Sequence, residues 1–202
     1  YYRLNLSRVL AGEVGFDTLP LQPARWYEEQ RIDLVYGCVE HIAAEARRVR
    51  LRDGRSMGYD SLVLANGAHA FVPPIPGIER NGVHVVRTRA DVQRILEHLP
   101  QTRRAVCIGG GLLGLEACGG LQARGVEVTV LEGFAWLMPR QLPPRGGDTL
   151  AAILTERGIT PRCGVSVQAI RGNTHVDGVE LADGTVLPAE LVIVAAGVRP
   201  NT

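Results

Sequence analysis

The segment of residues 105–132, AVCIGGGLLGLEACGGLQARGVEVTVLE, constrains the fold of this chain more than any other. It opens with an apolar run over residues 105–108 that is bounded by glycine and too short for a helix, which predicts a buried strand. The pattern G-x-G-x-x-G follows at positions 109–114, and a helical pattern then continues until Gly125. The apolar face of that helix recurs at i, i+3, i+4 and i+7 and comprises Gly114, Ala117, Cys118 and Leu121. Alternating valines then predict a second strand that ends at Glu132.

Each glycine of this pattern has a physical role in binding a dinucleotide. Gly109 permits the tight turn from strand to helix, Gly111 lets the backbone approach a diphosphate, and Gly114 lets the helix pack closely on the strand. The first helical residues, Leu112 and Leu113, offer unpaired backbone N–H groups and a partial positive charge, which suit a phosphate. The sequence therefore predicts a dinucleotide at the start of this helix, with a glycine-rich turn in an ordinary α/β domain as the alternative.

Glu132 lies where such a motif places an acid, at the tip of the next strand and about 20 residues beyond the glycines. A carboxylate there accepts a hydrogen bond from the hydroxyl of the adenosine ribose. It also repels a 2′-phosphate, so we expect NADH to be favoured over NADPH.

Composition and charge exclude several classes of function. The chain has 202 residues, a formal net charge of +1, no lysine and no basic run, which argues against nucleic acid as a partner and excludes chemistry based on lysine. No apolar run approaches the roughly 20 residues that span a bilayer, so we expect no membrane segment and a cytoplasmic location. The chain begins with Tyr1, which indicates a cut or processed N-terminus.

The cysteines and histidines do not indicate a metal site. Cys38, Cys107, Cys118 and Cys163 have no CxxC or ligand spacing, and we expect small buried side chains in a reducing compartment. The histidines are scattered, and we expect them on the surface or in loops.

Further elements follow from the local patterns. Helices are predicted before Gly12, over residues 23–30, from a capping box at Thr88 and Asp91, and before Gly158. Strands are predicted over residues 32–36, over 37–42 and 46–51 with a turn at Asp53-Gly54, and over 59–67 as a buried strand. An exposed loop is predicted over residues 135–142.

One unit of the sequence occurs twice. The pattern V-x-L-x-D-G followed by a buried-looking strand and glycine begins at Val49 and again at Val179, and it ends at Gly67 and Gly197. The second copy follows the dinucleotide motif. By symmetry the first copy should follow such a motif too, which predicts that this chain is a fragment.

Three motifs give the chain a wider resemblance: GGGLLGLE with the downstream acid, the proline-rich VPPIPG segment, and the closing AAGVRPN. Together they resemble the two-dinucleotide flavoprotein family of pyridine-nucleotide reductases. Within it, YYRLNLSRVLAGE and LMPRQL resemble the FAD/NAD(H) module of the assimilatory nitrite reductase large subunit. The resemblance covers nearly the whole chain.

The resemblance implies an α/β, three-layer Rossmann-like fold in which an NAD domain is inserted into an FAD domain. Residues 1–77 would be part of the FAD domain, 78–197 the NAD domain, and 198–202 the return to the FAD domain. The family's own FAD glycine motif would lie upstream of Tyr1, and the aspartate that meets the flavin ribityl chain would lie downstream.

The resemblance also implies site residues outside the glycine motif. Arg3 would lie near the FAD, Arg8 would approach the flavin, and the backbone of Val39 would meet the FAD adenine. Positions expected to contact cofactor in the glycine turns are Ala65, Asn66, Gly67 and Gly197. Asn66 stands where the family usually has threonine, which leaves its contact open.

Glu116 lies just inside the predicted helix and has two readings. It would stand beside the nicotinamide as a catalytic residue if the resemblance extends to it. Alternatively, it only stabilises the helix N-terminus, a contribution of about 0.3–1 kcal/mol.

The implied reaction is hydride transfer from NADH to FAD, with electrons passed to an acceptor in nitrite reduction. A rubredoxin or ferredoxin reductase is the alternative acceptor class, and an NAD-binding module without turnover is a further one. A disulfide reductase is disfavoured because no cysteine pair lies near Ser7. A homodimer is compatible with this prediction.

Overall fold

The computed structural model describes residues 1–201, which form five α-helices and thirteen β-strands. The helices are α1 (Leu6–Ala11), α2 (Ala24–Glu29), α3 (Arg89–His98), α4 (Leu112–Gln122) and α5 (Pro144–Glu156). The first seven strands are β1 (Val39–Ala43), β2 (Arg48–Leu51), β3 (Ser56–Gly58), β4 (Ala68–Ala70), β5 (Val83–Val85), β6 (Arg104–Ile108) and β7 (Glu127–Glu132). The others are β8 (Ile159–Cys163), β9 (Val167–Gly172), β10 (Val176–Leu181), β11 (Val186–Pro188), β12 (Leu191–Val194) and β13 (Val198–Pro200).

The chain divides into two compact units. The first comprises Tyr1–Leu19 and Ala68–Asn201, and the second comprises Pro20–Gly67. These are units of packing. The predicted division into FAD and NAD domains concerns cofactors, and it stays a prediction.

A parallel sheet of five strands, in the order β5-β12-β6-β7-β8, forms the centre of the first unit. The strand, glycine turn, helix and strand predicted from residues 105–132 are present as β6, α4 and β7. The antiparallel meander β9-β10-β11 and the two-stranded ribbon β4-β13 complete this unit. The predicted α/β class with a parallel sheet is confirmed.

Alternating side chains of the central strands bury both faces of the sheet. In β6, Ala105 and Cys107 pack in the cluster that includes α1, α3, α4 and α5, whereas Val106 and Ile108 pack in the cluster that includes the meander. This explains why the strand reads as an uninterrupted apolar run: both of its faces are covered. The unit therefore has three layers, with helices on one side of the sheet and the meander on the other.

Glycine lets α1 pack closely on α4. A Cβ at Gly120 would lie 3.1 Å from the side chain of Leu10, so the two helices approach at a residue without a side chain. The Arg124 guanidinium donates a 3.0 Å hydrogen bond to the Leu10 carbonyl at the end of α1. This contact fixes the N-terminal segment beside the dinucleotide motif.

Two predicted helix termini are confirmed in detail. Thr88 and Asp91 form the capping box at the start of α3, with the Thr88 side chain accepting from the Asp91 N–H at 3.2 Å. Gly12 ends α1 in the left-handed conformation at φ 82°. The helices predicted over residues 23–30 and before Gly158 are also present, as α2 and α5.

The second unit contains the antiparallel meander β1-β2-β3. The strands predicted over residues 37–42 and 46–51 correspond to β1 and β2, and the Asp53-Gly54 turn joins β2 to β3. Asp53 stabilises this turn by accepting from the Arg55 backbone N–H at 3.1 Å.

Two predicted strands of the second unit are wrong. Residues 32–36 and 59–67 form no ladder within residues 1–201, and their apolar side chains are largely exposed, Val63 to 85%. The same pattern in the second copy of the repeat does form a strand, because β12 pairs with β5 on one side and β6 on the other. No strand of the described chain flanks residues 59–67, so the sequence pattern there has no ladder to join.

Two further predictions need correction. Within the segment 135–142, predicted as an exposed loop, Leu137 is fully buried in the helical-side core. Cys38 is exposed, in contrast to the buried Cys107 and Cys118, because it precedes an exposed strand of the second unit. No helix of residues 1–201 is both long and apolar enough to cross a membrane.

Candidate functional site

The candidate site lies beside β6, where the strand order of the parallel sheet reverses. From β6 the sheet continues to β7 and β8 on one side and to β12 on the other. Ligands of open α/β sheets bind at such a point, outside the carboxyl ends of the strands. The turn after β6 holds the glycine motif, and the turn after β12 holds the predicted Gly197, whose φ is 118°.

Gly109 and Gly114 are required by close packing of backbone. Gly109 has φ 117°, and a Cβ there would lie 2.5 Å from the carbonyl oxygen of Ala195 after β12. A Cβ at Gly114 would collide with the carbonyl oxygen of Gly109, which holds α4 tightly on the turn. The predicted structural roles of these two glycines thus have a direct geometric basis.

Gly111 differs from both, because the space in front of it is open. It is the N-cap of α4 in an extended conformation (φ −81°, ψ 175°), and a Cβ there would meet no atom within 4 Å. In the described part of the chain no side chain caps the helix, so the first N–H groups of α4 are left for another acceptor. Leu112, the first helical residue, is 59% exposed. This open, uncapped helix start fits the diphosphate of a dinucleotide.

Glu132 lies at the end of β7, and its carboxylate also holds the glycine turn in place. Its residue is only 8% exposed, and one carboxylate oxygen accepts from the Gly110 N–H at 2.8 Å while the other accepts from the Phe134 N–H at 3.0 Å. A carboxylate has about four acceptor positions, so each oxygen retains capacity for a further donor such as a ribose hydroxyl.

Gly110 is held in place by contacts with the loop after β7. Its carbonyl accepts a 3.0 Å hydrogen bond from the Met138 N–H, and a Cβ there would lie 2.6 Å from the side chain of Leu137. The loop after β7 thereby folds back over the glycine turn, which explains the burial of Leu137. Sequence reasoning missed Gly110 because it occupies a variable position of the G-x-G-x-x-G pattern.

A cleft of about 190 Å³ opens beside the start of α4. It brings together the predicted residues Arg3, Leu112, Leu113 and Glu116. Its other lining residues are Leu4, Leu6, Ser7, Val86 and Arg87. The cleft therefore combines an apolar wall with a carboxylate and two guanidinium groups.

Arg87 is a cleft residue that sequence reasoning missed. Its guanidinium donates a 2.9 Å hydrogen bond to the Ala68 carbonyl, which fixes the side chain. Partial burial, and next the positive charge of Arg3, lower the pKa of Arg87 from its ordinary value. Two like charges in one cleft are stabilised by an anion, so the pair fits a phosphate group.

The other predicted residues are not among those that line this cleft. Arg8, on α1, forms an exposed ion pair with Glu13 at 2.9 Å and does not line the cleft. Val39, Ala65, Asn66 and Gly67 belong to the second unit, where Val39 is in β1 and the other three are in an exposed segment without regular structure. Their contacts with FAD stay predictions.

The cysteines are all free thiols, and no group of His, Cys, Asp and Glu within residues 1–201 is arranged to hold a metal ion. The hydrogen bond with the neighbouring thiol of Cys118, and next burial, raise the pKa of Cys107. Both thiols lie inside the core between β6 and α4, which makes them packing groups.

Comparison with known families places the whole chain in one of them. The family described as pyridine nucleotide-disulphide oxidoreductase matches residues 1–202. Nitrite reductase [NAD(P)H] of Bacillus subtilis is 38% identical over 203 residues, which cover 100% of this chain and 25% of the relative. Ferredoxin–NAD(P)+ reductase of a Sphingomonas species is also 38% identical, over 99% of this chain and 49% of the relative.

A solved structure has the same fold. The ferredoxin reductase from Rhodopseudomonas palustris aligns with a TM-score of 0.91 and 30% identity, over 98% of this chain and 49% of that one. The chain thus spans about a quarter to a half of the relatives that it matches.

Proposed function

Because the chain belongs to the pyridine nucleotide-disulphide oxidoreductase family, we propose that it is part of an FAD-dependent enzyme that oxidises NADH. The observation that carries this proposal is the open, uncapped start of α4 at Gly111, with the carboxylate of Glu132 bonded to the adjoining turn. Relatives named for NAD(P)H-dependent reductases support it.

In this proposal the start of α4 binds the dinucleotide diphosphate. The N–H groups of Leu112 and Leu113 donate to its oxygens, and the absence of a side chain at Gly111 lets the phosphates approach the backbone. Glu132 accepts from the adenosine ribose with its remaining lone pairs. Its negative charge, held at the site by two backbone N–H groups, disfavours a 2′-phosphate and selects NADH over NADPH.

We propose that the cleft beside α4 holds part of the flavin cofactor together with the nicotinamide end of NADH. Hydride transfer between reduced nicotinamide and flavin is chemistry that the cofactors supply. Arg3 and Arg87 bind phosphate of the flavin cofactor, and Glu116 accepts from the nicotinamide carboxamide and so orients the ring. The apolar walls formed by Leu112, Leu113 and their neighbours exclude water from the reacting face.

For the electron acceptor we propose the nitrite-reducing system, following the nitrite reductase relative and the YYRLNLSRVLAGE and LMPRQL motifs. Transfer to a ferredoxin or rubredoxin is a second candidate, favoured by the equal identity to the ferredoxin reductase. In both candidates NADH binds at the same site, and only the electron acceptor differs. A homodimer and a cytoplasmic location also remain predictions.

The test uses the purified enzyme of which this chain is proposed to be part, with added FAD. We expect a yellow flavoprotein that NADH bleaches under anaerobic conditions, and that NADPH bleaches more slowly. A colourless protein that still binds NADH would support a nucleotide-binding module without turnover. A protein that binds neither NADH nor FAD would contradict the proposal. With turnover established, reduction of ferredoxin or rubredoxin by NADH separates the two acceptor classes.

A further inference from the structure

Phe134 is an exposed aromatic residue held next to the proposed ribose site. It follows β7, two residues after Glu132, and its residue is 61% exposed. Within residues 1–201 its ring is not part of any of the close aromatic pairs or of the arginine–ring contacts. The side chain therefore contributes little to the core.

The backbone of Phe134, in contrast, is fixed on both sides. Its N–H donates to the Glu132 carboxylate at 3.0 Å, and its carbonyl accepts from the Gly164 N–H at 2.7 Å. The Val165 N–H bonds to the Glu132 carbonyl at 3.2 Å, which ties the same turn to the segment after β8. Because its backbone is already fixed, only the two χ angles of the ring remain to be ordered when a ligand packs on it.

In the proposed binding mode, the covalent structure of NADH places its adenine close to Phe134. The adenine of NADH is joined directly to the ribose whose hydroxyl is assigned to Glu132, so it lies within one sugar of that carboxylate. The Phe134 backbone bonds to that same carboxylate. An aromatic face is the surface that a base prefers, because stacking needs no match of donors and acceptors.

We propose that the ring of Phe134 stacks on the adenine of the bound dinucleotide. This inference rests on the proposed function, since it takes NADH to bind at the α4 start. It adds a residue that grips the adenosine half of the molecule and takes no part in hydride transfer. Phe134 is thus a positioning residue for the dinucleotide.

The experiment measures binding of NADH, ADP-ribose and reduced nicotinamide mononucleotide to the full chain. ADP-ribose keeps the adenine without the nicotinamide, and the mononucleotide keeps the nicotinamide without the adenine. The variants are Phe134→Ala, Phe134→Leu and Phe134→Tyr. Val186→Ala is the control, because Val186 is a half-exposed apolar residue on β11 outside the proposed site.

We expect Phe134→Ala to lower the affinities for NADH and for ADP-ribose by the same factor, about 5- to 150-fold for one stacked base. Phe134→Leu, which keeps apolar area without a ring face, should resemble the alanine variant, and Phe134→Tyr should restore binding to within about 2-fold. Affinity for the mononucleotide and the thermal midpoint should be unchanged throughout, as they should for Val186→Ala.

The outcomes separate this inference from the function on which it rests. If wild-type protein binds NADH and Phe134→Ala binds it with the same affinity, the stacking role alone is overturned. A leucine variant that binds as well as wild type would also overturn it, because apolar area would then suffice. Wild-type protein that binds neither NADH nor ADP-ribose would overturn the proposed function, and the stacking role with it.

Discussion

The carboxylate of Glu132 accepts a 2.8 Å hydrogen bond from the backbone N–H of Gly110, within the turn that joins β6 to α4. The acid at the tip of β7 thus organises the glycine turn before any ligand arrives. Its second oxygen holds the Phe134 N–H. The structural role and the proposed ligand-binding role belong to one side chain, and substitutions can separate them.

Replacing Glu132 by glutamine removes the charge but keeps the shape of the side chain. We expect Glu132→Gln to lower the affinity for NADH. The affinity for NADPH should rise relative to that for NADH, because repulsion of the 2′-phosphate is lost. One of the two backbone N–H groups would face an amide donor, which costs about 1–3 kcal/mol of unfolding free energy. Affinities for both dinucleotides check the first point, and denaturant unfolding checks the second. An unchanged NADH/NADPH ratio would contradict the role of the charge.

The glycines of α4 should differ sharply in their tolerance of alanine. Gly114→Ala drives a Cβ into the Gly109 carbonyl oxygen, so we expect a loss of about 1–3 kcal/mol or more in unfolding free energy. Gly119→Ala is the matched control in the same helix, where a Cβ would meet no atom within 4 Å, and it should gain roughly 0.5–1 kcal/mol. Denaturant unfolding of both variants checks this, and equal effects would contradict the packing account.

Stability should depend on His84 at acid pH. Burial, followed by repulsion from His98 and Arg94 and partly offset by Asp91, lowers the pKa of His84 from 6.5 to about 4 in the folded chain. Its Nε2 is buried and has no hydrogen-bond partner among residues 1–201, which favours the neutral ring. The unfolded chain binds the proton more readily, so stability is complete above pH 6.5 and is lost as the pH falls towards 4.

The check is the unfolding free energy of wild type and His84→Leu between pH 4 and 6.5. We expect a shallower pH dependence in the variant, because the titrating ring is gone. Identical slopes in the two proteins would contradict this role of His84.

The paired guanidinium groups of the cleft should govern flavin affinity. We expect Arg87→Gln to lower the affinity for FAD by about 10-fold or more, because a charge-assisted hydrogen bond contributes about 1.5–3 kcal/mol. Arg171→Gln, which removes an exposed arginine paired with Glu180, is the control and should leave FAD binding unchanged. Fluorescence titration with FAD measures both. Equal affinity in all three proteins would remove Arg87 from the cofactor site.

The sequence predicts this fold best where local chemistry and tertiary context agree. The capping box at Thr88, the strand of β6 and the glycines of its turn are recognisable because each is a local requirement of backbone geometry. The repeat shows the limit. Residues 59–67 and β12 have nearly the same pattern, yet only β12 has neighbouring strands in the described chain. An apolar run indicates that a segment can form a strand. The strand forms only where a neighbouring strand is available to pair with it.

The site was only partly predictable for a related reason. Gly111 and Glu132 belong to a recognisable spacing, whereas Arg87 is one of 22 arginines and enters the cleft through the packing of α3 beside α1. Gly110 is required by Leu137 and Glu132, which approach it only in the folded chain. Phe134 had a weak signal, an aromatic residue two positions after Glu132, and it becomes informative only when its exposure is known.

The most direct test of the account is the affinity of Gly111→Val for NADH. The backbone there suits any residue and a Cβ meets no atom within 4 Å, so the variant should fold, at a cost of about 1 kcal/mol at the N-cap. The valine side chain would fill the space proposed for the diphosphate. We predict a melting profile close to that of wild type together with loss of measurable NADH binding, and a folded variant that binds NADH as tightly as wild type would contradict the account.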